Sequence, residues 1–327
     1  MMNEQIQQLL QSANSAIDDG DIGRAADEYQ QVLASDPNNH EACLMLGSLL
    51  GEAGQLDQAA SLLRKAAANK ADDATACITL AHVLRAMGDT KNAIDSLEEG
   101  VRRDPDDCDA ICTLGSMLAE SGRDTEAVEQ FSSAVELNPQ RGDAWLALGA
   151  MQIRQNQPEA AAGTLETALR LNPGDREAKL QLGIALIKLE RLDDAESILR
   201  QAITDHSDYP ELYFWLANAL KQRGNLSGAL ESNTSARALA PDSTAYRVQA
   251  AAIREDMGKT DEAFELLRPV LEVEAVPVEA ALLFAIMSRT LGMVDEARNL
   301  LEKVSAHDSS PEQRNKIDDV LLWLESA

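Results

Sequence analysis

The chain has 327 residues, of which 55 are acidic and 29 basic, giving a formal net charge of −26. Nucleic acids and anionic membrane surfaces need basic footprints, so this balance excludes both as partners. The longest apolar run, 280–287, is far short of the roughly 20 residues of a membrane span.

The amino-terminal segment MMNEQIQQLL lacks both the basic and the apolar region of a secretory signal, and four cysteines are too few for a disulfide scaffold. Both observations point to a reducing, cytoplasmic setting. From Ile6 to Pro311 the sequence then repeats every 34 residues without insertion or deletion. Alanine recurs at Ala25, Ala59, Ala93, Ala127, Ala161, Ala195, Ala229, Ala263 and Ala297. A second small-residue series runs through Ala13, Gly47, Ala81, Gly115, Gly149, Gly183, Ala217, Ala251 and Ala285. The expected organisation is a lead-in at 1–5, then nine repeats at 6–39, 40–73, 74–107, 108–141, 142–175, 176–209, 210–243, 244–277 and 278–311, then a final helix at 312–327.

Within each repeat the apolar spacing predicts two helices. In the second repeat Ala42, Leu46, Leu49 and Leu50 keep helical period, Gly54 breaks it, and Ala59, Leu62, Leu63 and Ala66 resume it. The breaking position is Gly20, Gly54, Gly88, Gly122, Asn156, Glu190, Gly224, Gly258 and Gly292 in turn. Asp36-Pro37, Asp104-Pro105, Asn138-Pro139 and Asn172-Pro173 end second helices, because the residue before proline disfavours the helical region. Pro269 alone falls inside a predicted helix, where a kink or early end is expected. After Pro311, Ile317, Val320, Leu321 and Leu324 form one apolar stripe, and Ser310 with Gln313 has capping-box spacing. This segment reads as a solvating cap, with Trp323 packed on the ninth repeat or exposed as a contact.

The residues at this point resemble the tetratricopeptide repeat family. The fifth repeat carries its pattern in Trp145, Leu148, Gly149, Ala161, Leu165, Ala168 and Pro173, and the fourth in Leu114, Gly115, Leu118, Ala127, Phe131, Ala134 and Pro139. The resemblance implies an all-α fold, a right-handed superhelical α-solenoid of helix-turn-helix repeats whose first helices line a concave groove. Departures mark a weak place. Ser12 replaces a leucine, Asn233 occupies a slot otherwise held by Tyr29, Leu63, Leu97, Phe131 or leucine, and Arg247, Ala250 and Arg254 stand where apolar residues usually sit. The seventh and eighth repeats are therefore expected to share the weakest interface.

No phosphate-binding loop, nucleophile elbow or zinc-binding helix motif is present. His40, His82, His206 and His307 are scattered and read as structural or solvated, although the slot of His82 would let it serve as a pH-sensitive groove contact. Cys108 and Cys112 share a helix face but supply only two zinc ligands, and their spacing is awkward for a disulfide in an intact helix. Cys43 and Cys77 read as buried hydrophobes. No catalytic residue, metal or cofactor is expected, and the chain reads as a non-enzyme.

Function is expected in the groove that the resemblance implies. One row of first-helix residues is apolar throughout: Leu10, Leu44, Ile78, Cys112, Leu146, Leu180, Phe214, Val248 and Leu282. A neighbouring row is mostly acidic: Glu41, Asp109, Asp143, Glu177, Glu211 and Glu279. Its other reading is service to the helix dipoles. A third, mixed region holds Asn14, Asp18, Arg85, Glu120, Arg154, Lys188, Asn218 and Lys221, and the slot of His82 also faces the groove. The surface suits a protein segment with apolar anchors and basic flanks. Charge is uneven, −16 over residues 1–139 and −10 over residues 140–327, which would steer a basic partner to the first part. The leading expectation is a protein-interaction scaffold. The alternative is a recognition module of a larger sulfotransferase, glycosyltransferase or methyltransferase, a fusion the resemblance allows.

Overall fold

A computed structural model describes residues 2–70, 73–306 and 310–325. The described residues hold nineteen helices and no strand, so the fold is all-α. They divide into two compact bodies, residues 1–157 and 158–327. The first contains α1 (Met2–Asp18), α2 (Ile22–Ser35), α3 (His40–Glu52), α4 (Leu56–Asn69), α5 (Thr75–Ala86), α6 (Thr90–Arg103), α7 (Cys108–Glu120), α8 (Asp124–Leu137) and α9 (Gly142–Arg154). The second contains α10 (Pro158–Leu171), α11 (Arg176–Lys188), α12 (Leu192–Asp205), α13 (Pro210–Gln222), α14 (Leu226–Leu239), α15 (Thr244–Asp256), α16 (Thr260–Leu271), α17 (Val278–Leu291), α18 (Val294–Ala306) and α19 (Pro311–Glu325).

Local chemistry sets the helix ends. Asp21, Asn39, Asp89, Asp107, Asp175, Asn225 and Ser243 cap second or first helices by accepting a backbone N–H one turn ahead. First helices end in a left-handed turn. After α3, the Gly54 N–H donates to the Gly51 carbonyl at 3.0 Å and the Gln55 N–H reaches back to Leu50 at 2.8 Å, so two otherwise orphaned carbonyls are satisfied.

Each body is a solenoid in which helices pack on their chain neighbours. The small-residue series allows this. A Cβ added at Gly47 would lie 2.8 Å from Leu63 Cγ, and one at Gly183 would lie 2.7 Å from Leu199 Cδ2. The leucine of the second helix thus fills the space the glycine leaves. In the first body Leu63, Leu80, Leu84, Leu97, Leu114, Leu118 and Phe131 belong to one buried cluster. In the second, Leu267, Phe284, Met287 and Leu301 form a cluster that takes in Ile317 and Leu324 of α19. Before that helix Ser310 and Gln313 make the reciprocal capping bonds at 3.0 and 3.2 Å. Trp323 is 40 % exposed, with the Arg289 guanidinium 3.8 Å from its ring centroid. Helix α16 continues through Pro269 but ends at Leu271, with 12 residues against the 14 of α14, the early end that proline predicts.

His40, His206, Cys43 and Cys77 have structural surroundings. His40 Nδ1 bonds the Ala66 carbonyl at 3.0 Å and its Nε2 bonds Asp73 at 2.8 Å, tying the start of α3 to α4 and to the residue before α5. Burial alone would raise the Asp73 pKa, but hydrogen bonds from His40 and Thr75 outweigh it and hold the carboxyl below its usual range. His206 bonds the Gly174 carbonyl at 3.2 Å, His82 is exposed, and His307 lies outside the described residues. Cys43 and Cys77 are buried, as expected, and burial pushes both thiols up. Asn233 is fully buried. It donates to the Tyr246 carbonyl at 2.8 Å and to Gln249 Oε1 at 2.9 Å, while its own Oδ1 has no partner.

Candidate functional site

In the first body the apolar row is mostly structural support. Leu10 is buried, and Leu44, Ile78, Cys112 and Leu146 are half-buried. A Cβ at Gly100 would fall 2.8 Å from Ile78 Cγ1, so Ile78 packs onto α6 of its own repeat. Leu44, Ile78 and Cys112 join the main buried cluster.

The acidic row carries less free charge than its sequence suggests. Arg141 Nη1 donates to Asp109 at 2.5 Å and its Nε to Asp143 at 3.0 Å, bridging the two carboxylates. Asn14 donates to Glu41 at 2.9 Å. In the mixed region Arg85 pairs with Glu120 at 3.0 Å and Arg154 with Asp124 at 2.7 Å. The charged groups of this face therefore partly answer one another. Burial, ahead of its charged neighbours, pushes the Cys112 thiol up to about 12, which keeps it protonated at neutral pH.

In the second body Leu180 departs from expectation. It is 4 % exposed in a stretch of α11, 178–187, that is buried except at Gln181, so it belongs to the core and presents little surface to a ligand. Glu177 accepts from Tyr209 Oη at 3.0 Å and from Gln181 at 2.7 Å. The Arg176 guanidinium lies 4.7 Å from the Tyr209 ring centroid. Burial and then Glu177 push the Tyr209 phenol up to about 12. Lys188 is exposed. Lys221 pairs with Asp256 at 3.0 Å, and Asn218 accepts from Gln222 at 2.8 Å.

Five of the residues expected to face the groove come together at one cavity. Phe214, Asn218 and Lys221 of α13 line a half-open space of about 570 Å³ with Thr244, Ala245, Val248, Gln249 and Ala252 of α15, and Pro277 and Glu279 at the start of α17. Phe214 is held edge-on to Trp215 at 5.5 Å and against Tyr246 at 5.2 Å. Gln249 Nε2 donates to the Phe214 carbonyl at 2.9 Å, tying α15 to α13 beneath the cavity. Burial and then Glu211 push the Tyr246 phenol up to about 12, and one Glu211 carboxylate oxygen is buried without a partner. The lining is an aromatic and aliphatic floor under a rim of amides, a lysine and a carboxylate. Such a surface can take an apolar side chain and hydrogen-bond the backbone beside it.

Sequence reasoning placed Phe214, Asn218, Lys221, Val248 and Glu279 on this face but missed Thr244, Ala245, Ala252 and Pro277. The signal for Ala252 was its register, since it shares the slot of His82 and Asn218 and its small side chain leaves room. Arg141, Tyr209 and Tyr246 were also missed, because they meet partners far away in the sequence.

A family model for tetratricopeptide repeats matches residues 16–76, 50–118, 118–180, 152–204 and 186–252. Among solved structures, the fold is similar to that of PilW, a type IV pilus biogenesis factor, with a TM-score of 0.57 at 19% identity, covering 63% of this chain and 96% of that one. PilF of Pseudomonas aeruginosa gives a TM-score of 0.51 at 22% identity, covering 64% and 95%. YrrB, a TPR protein with an unusual peptide-binding site, gives 0.50 at 24% identity, covering 57% and 96%. At these identities the likeness is one of fold. No curated protein matches the sequence significantly.

Proposed function

Because the chain belongs to the tetratricopeptide repeat family, we propose that it is a protein-interaction scaffold that receives a partner segment on its first helices, anchored between α13, α15 and α17. The observation that carries this reading is the cavity of about 570 Å³ floored by Phe214 and Val248. Apolar anchors that fill a desolvated pocket supply most of the binding energy in such contacts. The amides of Asn218 and Gln222 offer donors and acceptors for an extended backbone. Glu279 at the rim favours a basic residue next to the anchor. The bridging of Asp109 and Asp143 by Arg141 makes the second body the better place for the anchor.

The test is affinity capture of partners from native lysate by the full chain and by Phe214→Arg and Val248→Arg. Each variant places a charge in the apolar floor. Binding of the anchored segment should fall by about 30-fold or more, the effect of a hot-spot residue. Circular dichroism should stay unchanged for Val248→Arg, whose side chain is half-buried. If both folded variants keep every partner at full affinity, the anchor is elsewhere.

A further inference from the structure

Behind the cavity lies a buried amide pair that packing does not require. In every other repeat the slot of Asn233 is filled by leucine, phenylalanine or tyrosine, as by Leu199 and Leu267, which have no exposed surface. Asn233 is buried just as deeply, but it is polar and its Oδ1 has no partner. As packing, leucine would serve better there. What asparagine supplies instead is a donor aimed at the next repeat. Its Nδ2 donates to the Tyr246 carbonyl at 2.8 Å and to Gln249 Oε1 at 2.9 Å.

Helix α14 contributes no residue to the cavity lining, but both residues that Asn233 holds belong to α15, and Gln249 is part of that lining. Tyr246 packs its ring on Phe214, with 5.2 Å between centroids. Gln249 Nε2 donates to the Phe214 carbonyl at 2.9 Å. Both ends of the Gln249 amide are therefore committed to protein groups, one on α14 and one on α13, which leaves its methylenes to face the cavity. With leucine in place of Asn233, Gln249 Oε1 loses its donor, and its replacement partner is water in the half-open cavity. The amide then turns toward that water and puts a polar group on the floor beside Phe214 and Val248, and an apolar ligand must displace the hydration it holds.

We propose, on the premise that this cavity is the anchor site, that Asn233 is a positioning residue that sets its specificity. By holding the Gln249 amide away from the cavity, Asn233 keeps the floor apolar and so selects an uncharged, apolar group as the anchor.

The test uses the full chain and a neutral apolar fluorophore, phenylnaphthylamine, whose emission rises on leaving water. The native chain is compared with Val248→Arg, with Asn233→Leu, and with the double variant Asn233→Leu/Gln249→Met, which removes both the donor and the amide it holds. Saturable binding to one site is expected for the native chain, weakened about tenfold or more in Asn233→Leu. The double variant should return to within about threefold of the native chain, because replacing both members of a hydrogen-bonded pair by apolar groups of like shape is close to neutral. This rescue separates positioning from packing, since a leucine that merely disturbed α14 would disturb it equally in the double variant. Circular dichroism checks that each variant is folded. If leucine prevents folding, Asn233→Ala removes the donor without adding bulk and should show the same loss, again restored by Gln249→Met. Native-like binding by Asn233→Leu, or a double variant that stays as weak as the single one, overturns the proposal. Equal binding by the native chain and Val248→Arg instead overturns the cavity as an apolar anchor site, and the role of Asn233 with it.

Discussion

At the scale of single residues, the turns inside the repeats show how far one position can be read alone. Glycine takes the left-handed turn position seven times, at φ between 72° and 80°. Asn156 and Glu190 take it at φ 57° and 58°. Asparagine visits this region readily, whereas glutamate pays about 1–2 kcal/mol for its Cβ. Glu190→Gly should therefore stabilise the chain by about 1 kcal/mol, less what the glycine gains in unfolded-state freedom. The melting temperature should rise by about 2–4 °C. Asn156→Gly should give a smaller rise. A lower melting temperature for Glu190→Gly would mean that its side chain makes a contact worth more than the strain. These turn positions were legible in the sequence because they recur at a fixed interval. The Arg141 bridge and the His40–Asp73 bond were not, since each joins side chains about one repeat apart whose approach depends on how consecutive repeats stack.

At the scale of elements, the seventh and eighth repeats combine several departures from apolar packing. Asn233 is fully buried with an unpaired carbonyl oxygen, Arg254 has an unpaired Nη1, and Ala250 stands in a leucine slot. A buried polar atom without a partner costs about 1–3 kcal/mol, and solenoid stability is close to a sum of nearest-neighbour interfaces. Backbone amides of α14 and α15 should then exchange with solvent faster than those of α11 and α12 in native-state hydrogen exchange. Slower exchange in α14 and α15 would show that the bonds from Asn233 to Tyr246 and Gln249, and from Gln249 to Phe214, more than offset the lost leucine contacts. The identity of each departing residue was plain in the sequence. Its hydrogen-bond partners were not, because they lie on helices brought together only by packing. The same limit applied to the cavity: Phe214 and Asn218 could be assigned to a ligand-facing row, but Leu180, from the same row, is buried in α11.

At the scale of the whole molecule, the charge of −26 remains the most general property of the surface. The acidic row of the first helices is not where it acts most strongly, because Arg141 spans Asp109 and Asp143 and hydrogen-bond donors occupy Glu41 and Glu177. The attraction available to a basic partner comes instead from the summed field, which is densest over residues 1–139 with a net −16. A summed field acts on the rate of encounter, while a local pocket acts on the rate of escape. Raising ionic strength from about 0.1 M to about 1 M shortens the screening length from about 10 Å to about 3 Å. The association rate of a basic partner segment should fall by about tenfold or more over that range. Its dissociation rate should change little, since escape from the floor formed by Phe214 and Val248 is governed by apolar contact. Stopped-flow or surface-based kinetics separate the two rates. A salt-insensitive association rate would mean that the charge serves solubility, and an accelerated dissociation rate would move the main contact from the apolar floor to the charged rim.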